Sequence, residues 1–243
     1  MKLEIIAHRG FSAIAPENTI AAFTAAIEHQ AEVIEFDVQL SSDRVPVIIH
    51  DTTVDRTSDG TGYVFDKMLE QLKALDAGTW FNTQFTGEQI PTLREALEAV
   101  KDIRAYIIAE VKNSHRWLPA DVENFVNTII SEGWEHKSIV ACFKDKLLEQ
   151  VRELSSRIIL GYLVDSLAAY KQGLSKAAAD GNAVMLSEYH ILLENPELVE
   201  SSRSQGVDVV AWTVDSEEDL LKLTDIGVVR IVTNSLISRS PGE

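Results

Sequence analysis

Four short stretches of the chain carry side chains that could do chemistry: His8-Arg9-Gly10, Glu35-Phe36-Asp37, His50-Asp51 and Glu110-Val111-Lys112. Each stands at or near the end of an apolar run, and strand ends in α/β barrels are where catalytic groups collect. Glu35 and Asp37 are two residues apart, so on a strand their side chains leave on the same side. Carboxylates crowded near a third repel one another unless a cation or a shared proton intervenes. All-oxygen ligation of that kind suits a hard ion, Mg²⁺ or Ca²⁺, better than zinc. Taken singly, each stretch has a plain structural use. Glu-x-Asp can be a solvent-facing pair, His8 a hydrogen-bonded core residue, His50-Asp51 the start of a turn, and Glu110-x-Lys112 a salt-bridged strand face. Asp55-Arg56, a little further on, is expected to form a local structural pair. It is the convergence of the four stretches that favours an active site.

Convergence requires a scaffold. Eight β-rich runs recur along the chain, at 3–7, 33–38, 105–111, 138–142, 158–163, 183–187, 207–214 and 228–232. Helical patterns lie between them, at Thr19–His29, Leu93–Val100, Ala120–Ser131, Lys144–Leu154, Pro196–Ser204 and Ser216–Leu223. Such alternation implies βα units and a parallel sheet. Eight units in 243 residues fit a (β/α)₈ TIM barrel, which opens every strand's C-terminal end on one face. A doubly wound open sheet is the alternative, but no GxGxxG or GxxxxGK[ST] phosphate loop accompanies it. Little chain follows the last run, so an eighth helix would be stunted.

PVIIHD (46–51) lies outside this count, because SSDRV is too short to connect parallel strands. A hairpin centred near Asp43 pairs residues whose numbers add to about 86 and returns His50 opposite Phe36, beside Glu35 and Asp37. Residues 52–91 then form a long interruption, read as a folded insertion over the barrel mouth. Its own core would come from Tyr63, Phe65, Leu72, Leu75, Trp80 and Phe81. With no Gly/Ser linker or charge block, residues 1–243 read as one domain containing this insertion.

The net charge of −16 argues against binding nucleic-acid phosphates, although a local cation can still reverse the sign inside a pocket. Cys142 is the only cysteine, which suits a reducing compartment. No apolar run reaches the roughly 18–20 residues needed to span a bilayer. A cytoplasmic enzyme without stable membrane insertion is expected.

The sequence also resembles the glycerophosphodiester phosphodiesterases. The resemblance runs through HRGFSAIAPENTIAAF (8–23), EFDVQLSSDRVPVIIHD (35–51), TVDRTSDGTG (53–62), LKALDAGTWF (72–81), GEQIPTLREAL (87–97), AEVK (109–112) and AWTVD (211–215). It implies a barrel with a small insertion, a divalent ion, and hydrolysis of diesters such as glycerophosphocholine to sn-glycerol 3-phosphate and an alcohol. By the same resemblance, His8 and His50 match the acid/base histidines, and Glu35, Asp37 and Glu110 the metal ligands. Arg9 and Lys112 match phosphate-contacting positions, and Trp212 an aromatic lining position. Cys142-Phe143 stands where Ser-Phe is common. VRIVTN (229–234) stands where the family usually has an aspartate-glycine pair and later Thr-Asp. The changes at Val229 and Asn234 are expected to touch neither the acid/base nor the metal set.

These residue types suit the implied reaction. A phosphodiester is anionic, so its charge must be neutralised first, by a metal, by Arg9's planar donor fork and by Lys112. Two proton transfers remain, and two histidines can perform both near neutral pH. The glycerol 2-hydroxyl lies close enough to attack phosphorus intramolecularly, through a cyclic phosphate. A phospholipase-D-like or phosphoinositide-cleaving enzyme on the same barrel is one alternative. A noncatalytic module that binds glycerophosphodiesters is another.

Overall fold

The computed structural model describes residues 2–113 and 116–235. Eight parallel strands close on themselves: β1 (Glu4–His8), β2 (Val33–Leu40), β4 (Tyr106–Val111), β5 (Ser138–Cys142), β6 (Ile159–Val164), β7 (Ala183–Glu188), β8 (Asp208–Trp212) and β9 (Arg230–Thr233). Starting from β1, the order runs through β9 and down to β4, then to β2, which pairs with β1 and shuts the barrel. This is the expected (β/α)₈ barrel. The seventh expected run shortens to Asp208–Trp212, and the eighth moves to Arg230–Thr233. The stunted terminal helix falls outside the described residues.

Strand alternation divides the side chains between two cores. Ile34, Phe36 and Val38 of β2 turn outward into the layer beneath the helices, with Phe23, Leu97 and Phe125. Val33 turns inward and packs with Ile6, Ile108, Ile139, Leu186 and Val210 inside the barrel. Further along the same inward face come Glu35 and then Asp37. Glu110 follows Ile108 on β4, and His8 follows Ile6 on β1, in the same way. Apolar alternation thus carries these polar groups to the top of the inner core.

The helices begin where cap chemistry allows. Thr19 accepts the Ala22 N–H to start α1 (Ile20–Glu28). The insertion contributes α2 (Leu69–Lys73), and Thr92 and Glu95 form a capping box on α3 (Leu93–Ala99). The other helices are α4 (Pro119–Ser131), α5 (Asp145–Leu154), α6 (Leu167–Asp180), α7 (Tyr189–Glu194), α8 (Glu197–Ser204) and α9 (Glu217–Asp225). The short α7 and the alanine-rich α6 have no counterpart among the expected helices. The buried stripe of α6 is Tyr170, Gly173, Leu174 and Ala177, only two of them large, and its boundaries are set by Ser166 at one end and Gly181 at the other.

β3 (Pro46–Ile48) lies antiparallel on the outer end of β2, with Val38 opposite Ile48 and Leu40 opposite Pro46. This is the expected hairpin register. Residues 52–91 pack against β3 through an aliphatic cluster of Val54, Val64, Leu72, Ala77 and Ile90 with Val47 and Ile49. The expected aromatic core is only partly realised, since Tyr63 is 60% and Trp80 38% exposed. Branched aliphatic groups fill the small space beside β3, and Trp80 rests edge-on against Phe81 outside it.

Candidate active site

Strand register assembles the site. His8 is paired beside Glu35 and Asp37 beside Glu110, so three adjacent strands present an imidazole and three carboxylates together. Glu35, Asp37 and Glu110 each offer an oxygen within 4.8 Å of the other two.

Their charges are unevenly compensated. Asp37 accepts a hydrogen bond from the Asn18 carboxamide at 2.7 Å, and it faces Arg9 Nε at 3.2 Å and Lys112 Nζ at 2.9 Å. Burial opposes its ionisation, yet Lys112 and Arg9 hold its carboxyl well below the usual range. Lys112 also pairs with Glu110. Glu35 receives less. Its Oε2 accepts the Arg9 backbone N–H at 3.0 Å, while Oε1 is buried without a hydrogen-bond partner. Burial, and then repulsion from Asp37 and Glu110, push Glu35 well above its ordinary range. Burial and the Asp37 charge raise Glu110 as well. A cation held by the three would satisfy Glu35 Oε1 and relieve the repulsion. The donors are all oxygen, so the set fits a hard divalent ion.

Arg9 is held from several sides. Its guanidinium reaches Glu17 at 2.7 Å in addition to Asp37. Its backbone is left-handed, with φ +56, which costs a non-glycine residue roughly 1–3 kcal/mol. The Arg9 N–H bond to Glu35 and the Asn18 N–H bond to the Arg9 carbonyl at 3.0 Å maintain that geometry. Gly10 follows at φ +80, where a Cβ would come within 2.6 Å of the Ala22 carbonyl carbon. The turn ending β1 can therefore approach α1 only with glycine at that position.

The two histidines are anchored differently. His8 Nδ1 lies 2.7 Å from Asn234 Oδ1, and its Nε2 lies 3.9 Å from Glu35 Oε2. His50 Nδ1 lies 2.7 Å from Asp51 Oδ1. Burial, reinforced by Arg9, lowers the His8 pKa to about 4, and burial also lowers His50. The His50 segment lies beyond the end of β3, where the buried Gln39 carboxamide holds it. Gln39 donates to the carbonyls of Ile49 at 3.2 Å, His50 at 2.9 Å and Asp51. Arg56 binds Asp51 at 2.6 Å and Glu17 at 2.7 Å, lowering the Asp51 pKa to about 2.

Two expectations are corrected here. Arg56 does not pair with Asp55, whose carboxylate accepts the Gly62 N–H at 2.9 Å. Arg56 instead joins the supports of Arg9 and His50, since Glu17 and Asp51 stand within its reach and each carries a compensating charge. Asn234, expected to touch neither the acid/base nor the metal set, bonds directly to His8. Barrel closure places the end of β9 beside the end of β1. Glu17, Asn18, Gln39 and Arg56 join the site without standing out from the sequence as members of it. For all but Arg56, the available signal is position, within PEN (16–18) and on the inward-facing run Glu35, Asp37, Gln39.

His8, Arg9, Glu35, His50, Glu110 and Lys112 line one side of a cavity of about 220 Å³. Ile108, Ala141, Leu163, Leu186 and Val232 form its floor and far wall, with Phe143 and Trp212 beside them. Those two rings meet edge-to-face at 6.1 Å. Trp212 is thus part of the cavity lining. Cys142 is buried and receives the Asn113 carboxamide at 3.2 Å, so it belongs to the packing beneath the site.

A family model described as the glycerophosphoryl diester phosphodiesterase family matches residues 8–237. The chain belongs to that family. A glycerophosphodiester phosphodiesterase of Caldanaerobacter subterraneus subsp. tengcongensis is 39% identical over 237 residues, covering 96% of this chain and 95% of its own. Human glycerophosphodiester phosphodiesterase 1 is 35% identical, with 90% of this chain and 73% of that protein covered. An Oleispira antarctica phosphodiesterase, solved in complex with the product sn-glycerol-3-phosphate, superposes with a TM-score of 0.83 at 29% identity. It covers 95% of this chain and 92% of the solved one. The matched span includes every residue on the charged side of the cavity, and the chain is an enzyme of this family. Among the described residues, no helix is long and apolar enough to cross a membrane.

Proposed function

We propose that this enzyme hydrolyses soluble glycerophosphodiesters, such as glycerophosphocholine and glycerophosphoethanolamine, to sn-glycerol 3-phosphate and an alcohol. The observation that carries this reading is the placing of two Nδ1-anchored imidazoles around one cavity with Arg9, Lys112, Glu35 and Glu110, the fully buried Asp37 lying within 4.8 Å of the two glutamates. Mg²⁺ or Ca²⁺ on Glu35, Asp37 and Glu110 would supply Lewis-acid neutralisation of the phosphate charge.

The chain's own groups do the rest. Arg9 and Lys112 bind the nonbridging phosphate oxygens, Arg9 through two donors of its planar fork. His8, kept neutral by burial, accepts the proton of the glycerol 2-hydroxyl as that oxygen attacks phosphorus. His50 donates a proton to the departing alcohol oxygen, its imidazolium supported by the Asp51 carboxylate. Water then opens the cyclic phosphate with the two roles exchanged. Trp212 and Phe143 cover the apolar side and shield the reacting groups from bulk water. Residues 1–243 are read as one barrel domain with 52–91 as an insertion subdomain, supported by the separate aliphatic cluster beside β3. A cytoplasmic setting is read from the buried lone cysteine.

The test is turnover. Glycerophosphocholine should yield sn-glycerol 3-phosphate and choline in a coupled assay with divalent ion present. Binding without product release would make the protein a binding module instead. A 2-deoxyglycerol analogue should bind but resist hydrolysis, and its hydrolysis at the normal rate would replace the cyclic route with direct attack by water.

Arg9→Lys addresses the phosphate clamp separately. The lysine keeps the charge but loses the fork, and an ordinary side chain still occupies the left-handed position. The expected result is a fall in kcat/KM of roughly 10-fold or more, the equivalent of about one charge-assisted hydrogen bond. Unchanged kinetics would reduce Arg9 to a structural partner of Glu17 and Asp37.

A further inference from the structure

The end of β9 carries a chain of hydrogen bonds that terminates on His8. Asn234 Oδ1 lies 2.7 Å from His8 Nδ1 and accepts the Ser12 hydroxyl at 3.1 Å. On the other side, Asn234 Nδ2 donates to Asp215 Oδ2 at 2.5 Å. Asp215 Oδ1 accepts both the Asn234 backbone N–H and the Thr233 hydroxyl at 2.8 Å. Burial pushes Asp215 upward, but these bonds outweigh it and keep the carboxyl below its usual range.

An ionised carboxylate has no hydrogen to give. The Asn234 carboxamide can therefore sit in only one sense, with its NH₂ toward Asp215 and its oxygen toward His8. An oxygen acceptor at Nδ1 requires that nitrogen to carry the proton. In the neutral ring the lone pair then belongs to Nε2, the nitrogen on the Glu35 side. We propose that Asn234, oriented by Asp215, is a positioning residue that sets His8 in the Nδ1-protonated tautomer and presents Nε2 as the proton acceptor. This rests on the reading of His8 as a base. The proton leaving the attacking hydroxyl goes to Nε2, while the Nδ1–H stays on Asn234 throughout.

The pairing also gives position 234 a physical reason. An aspartate there would face Asp215 across a hydrogen-bond distance, and two carboxylates so placed cannot both ionise comfortably. One carboxylate and one carboxamide satisfy the geometry, and the carboxamide orients His8 without adding a negative charge beside it.

The experiment uses the full chain labelled with ¹⁵N-histidine, two-bond ¹⁵N–¹H correlation spectra recorded with the ring neutral, and glycerophosphocholine kinetics on the metal-supplied enzyme. His8 should show the Nδ1–H pattern, identified by its loss in His8→Gln. Asn234→Ala should mix the tautomers and lower kcat roughly 10–100-fold, the usual effect of removing an orienting partner of a histidine, with KM nearly unchanged. Asn234→Asp should be impaired, and the exchanged pair Asp215→Asn with Asn234→Asp should regain both the tautomer and most of kcat. That exchange also keeps the test open should Asn234→Ala fold poorly. Retention of the tautomer and of kcat in Asn234→Ala would overturn the proposal. So would a fall in kcat with the tautomer intact, which would assign Asn234 to holding the strand end. If the tautomer changes as expected in a protein that turns over no diester, the positioning stands and the reading of the reaction fails.

Discussion

His8→Ala and His50→Ala should each lower kcat by roughly 10²–10⁴-fold, the usual contribution of a positioned acid or base. The double variant should be little worse than either single one, because the histidines act as a relay and neither transfer is useful alone. The pH dependence of kcat/KM should be bell-shaped. His8 must be neutral, so activity rises with pH as that ring loses its proton. His50 must be protonated, so activity falls as pH rises through its own titration. The more deeply buried His8 titrates at the lower pH of the two, and the apparent values belong to the coupled pair. Alanine at either position should leave the far-ultraviolet circular dichroism unchanged. His8→Ala with full activity would remove the central assignment.

Exhaustive chelation should abolish turnover, and Mg²⁺ or Ca²⁺ should restore it. Full activity in excess chelator would remove the ion from the reaction. The three carboxylates should then separate by stability in the chelated protein. Glu35→Gln and Glu110→Gln remove a charge that burial and its neighbours already oppose, so Tm should hold or rise while ion affinity falls. Asp37→Asn acts in the other direction. Arg9 and Lys112, at 17% and 16% side-chain exposure, would lose a shared partner, a loss of about 3–5 kcal/mol where such a pair is fully buried and somewhat less here. Thermal unfolding of the three variants in chelator checks this. A lower Tm for Glu35→Gln than for Asp37→Asn would contradict the uneven compensation seen among the three carboxylates.

Much of this site is legible in the amino-acid sequence, for a specific reason. On β2 the outward residues Ile34, Phe36 and Val38 are apolar and the inward ones turn from Val33 to Glu35 and Asp37, so alternation alone displays the change from core to chemistry. The five-residue link SSDRV leaves a hairpin as the economical connection, and its length places Val38 opposite Ile48. Asn234 and Arg56 escape such a reading because their partners are distant in sequence. Asn234 meets His8 only after the barrel closes, 226 residues away, and Arg56 meets Glu17 across 39 residues. An Asp-Arg dipeptide invites a local pairing, but Asp55 and Arg56 take separate partners in this loop. The helix α6 is hard to see because alanine-rich sequence gives a weak amphipathic signal even where tertiary packing makes the helix secure.

The charged groups of the cavity come from β1, β2 and β4, which are contiguous in the barrel wall, and from the hairpin attached to β2. The remaining arc, β5 to β9, supplies mainly apolar lining: Ala141, Phe143, Leu163, Leu186, Trp212 and Val232. The two arcs meet at the seam between β1 and β9, where Asn234 bonds to His8, so that edge of the apolar arc is tied to the reacting groups. Away from the seam, a change in the size of Leu163 or Leu186 would reshape the cavity while leaving in place the hydrogen bonds that hold the charged side chains.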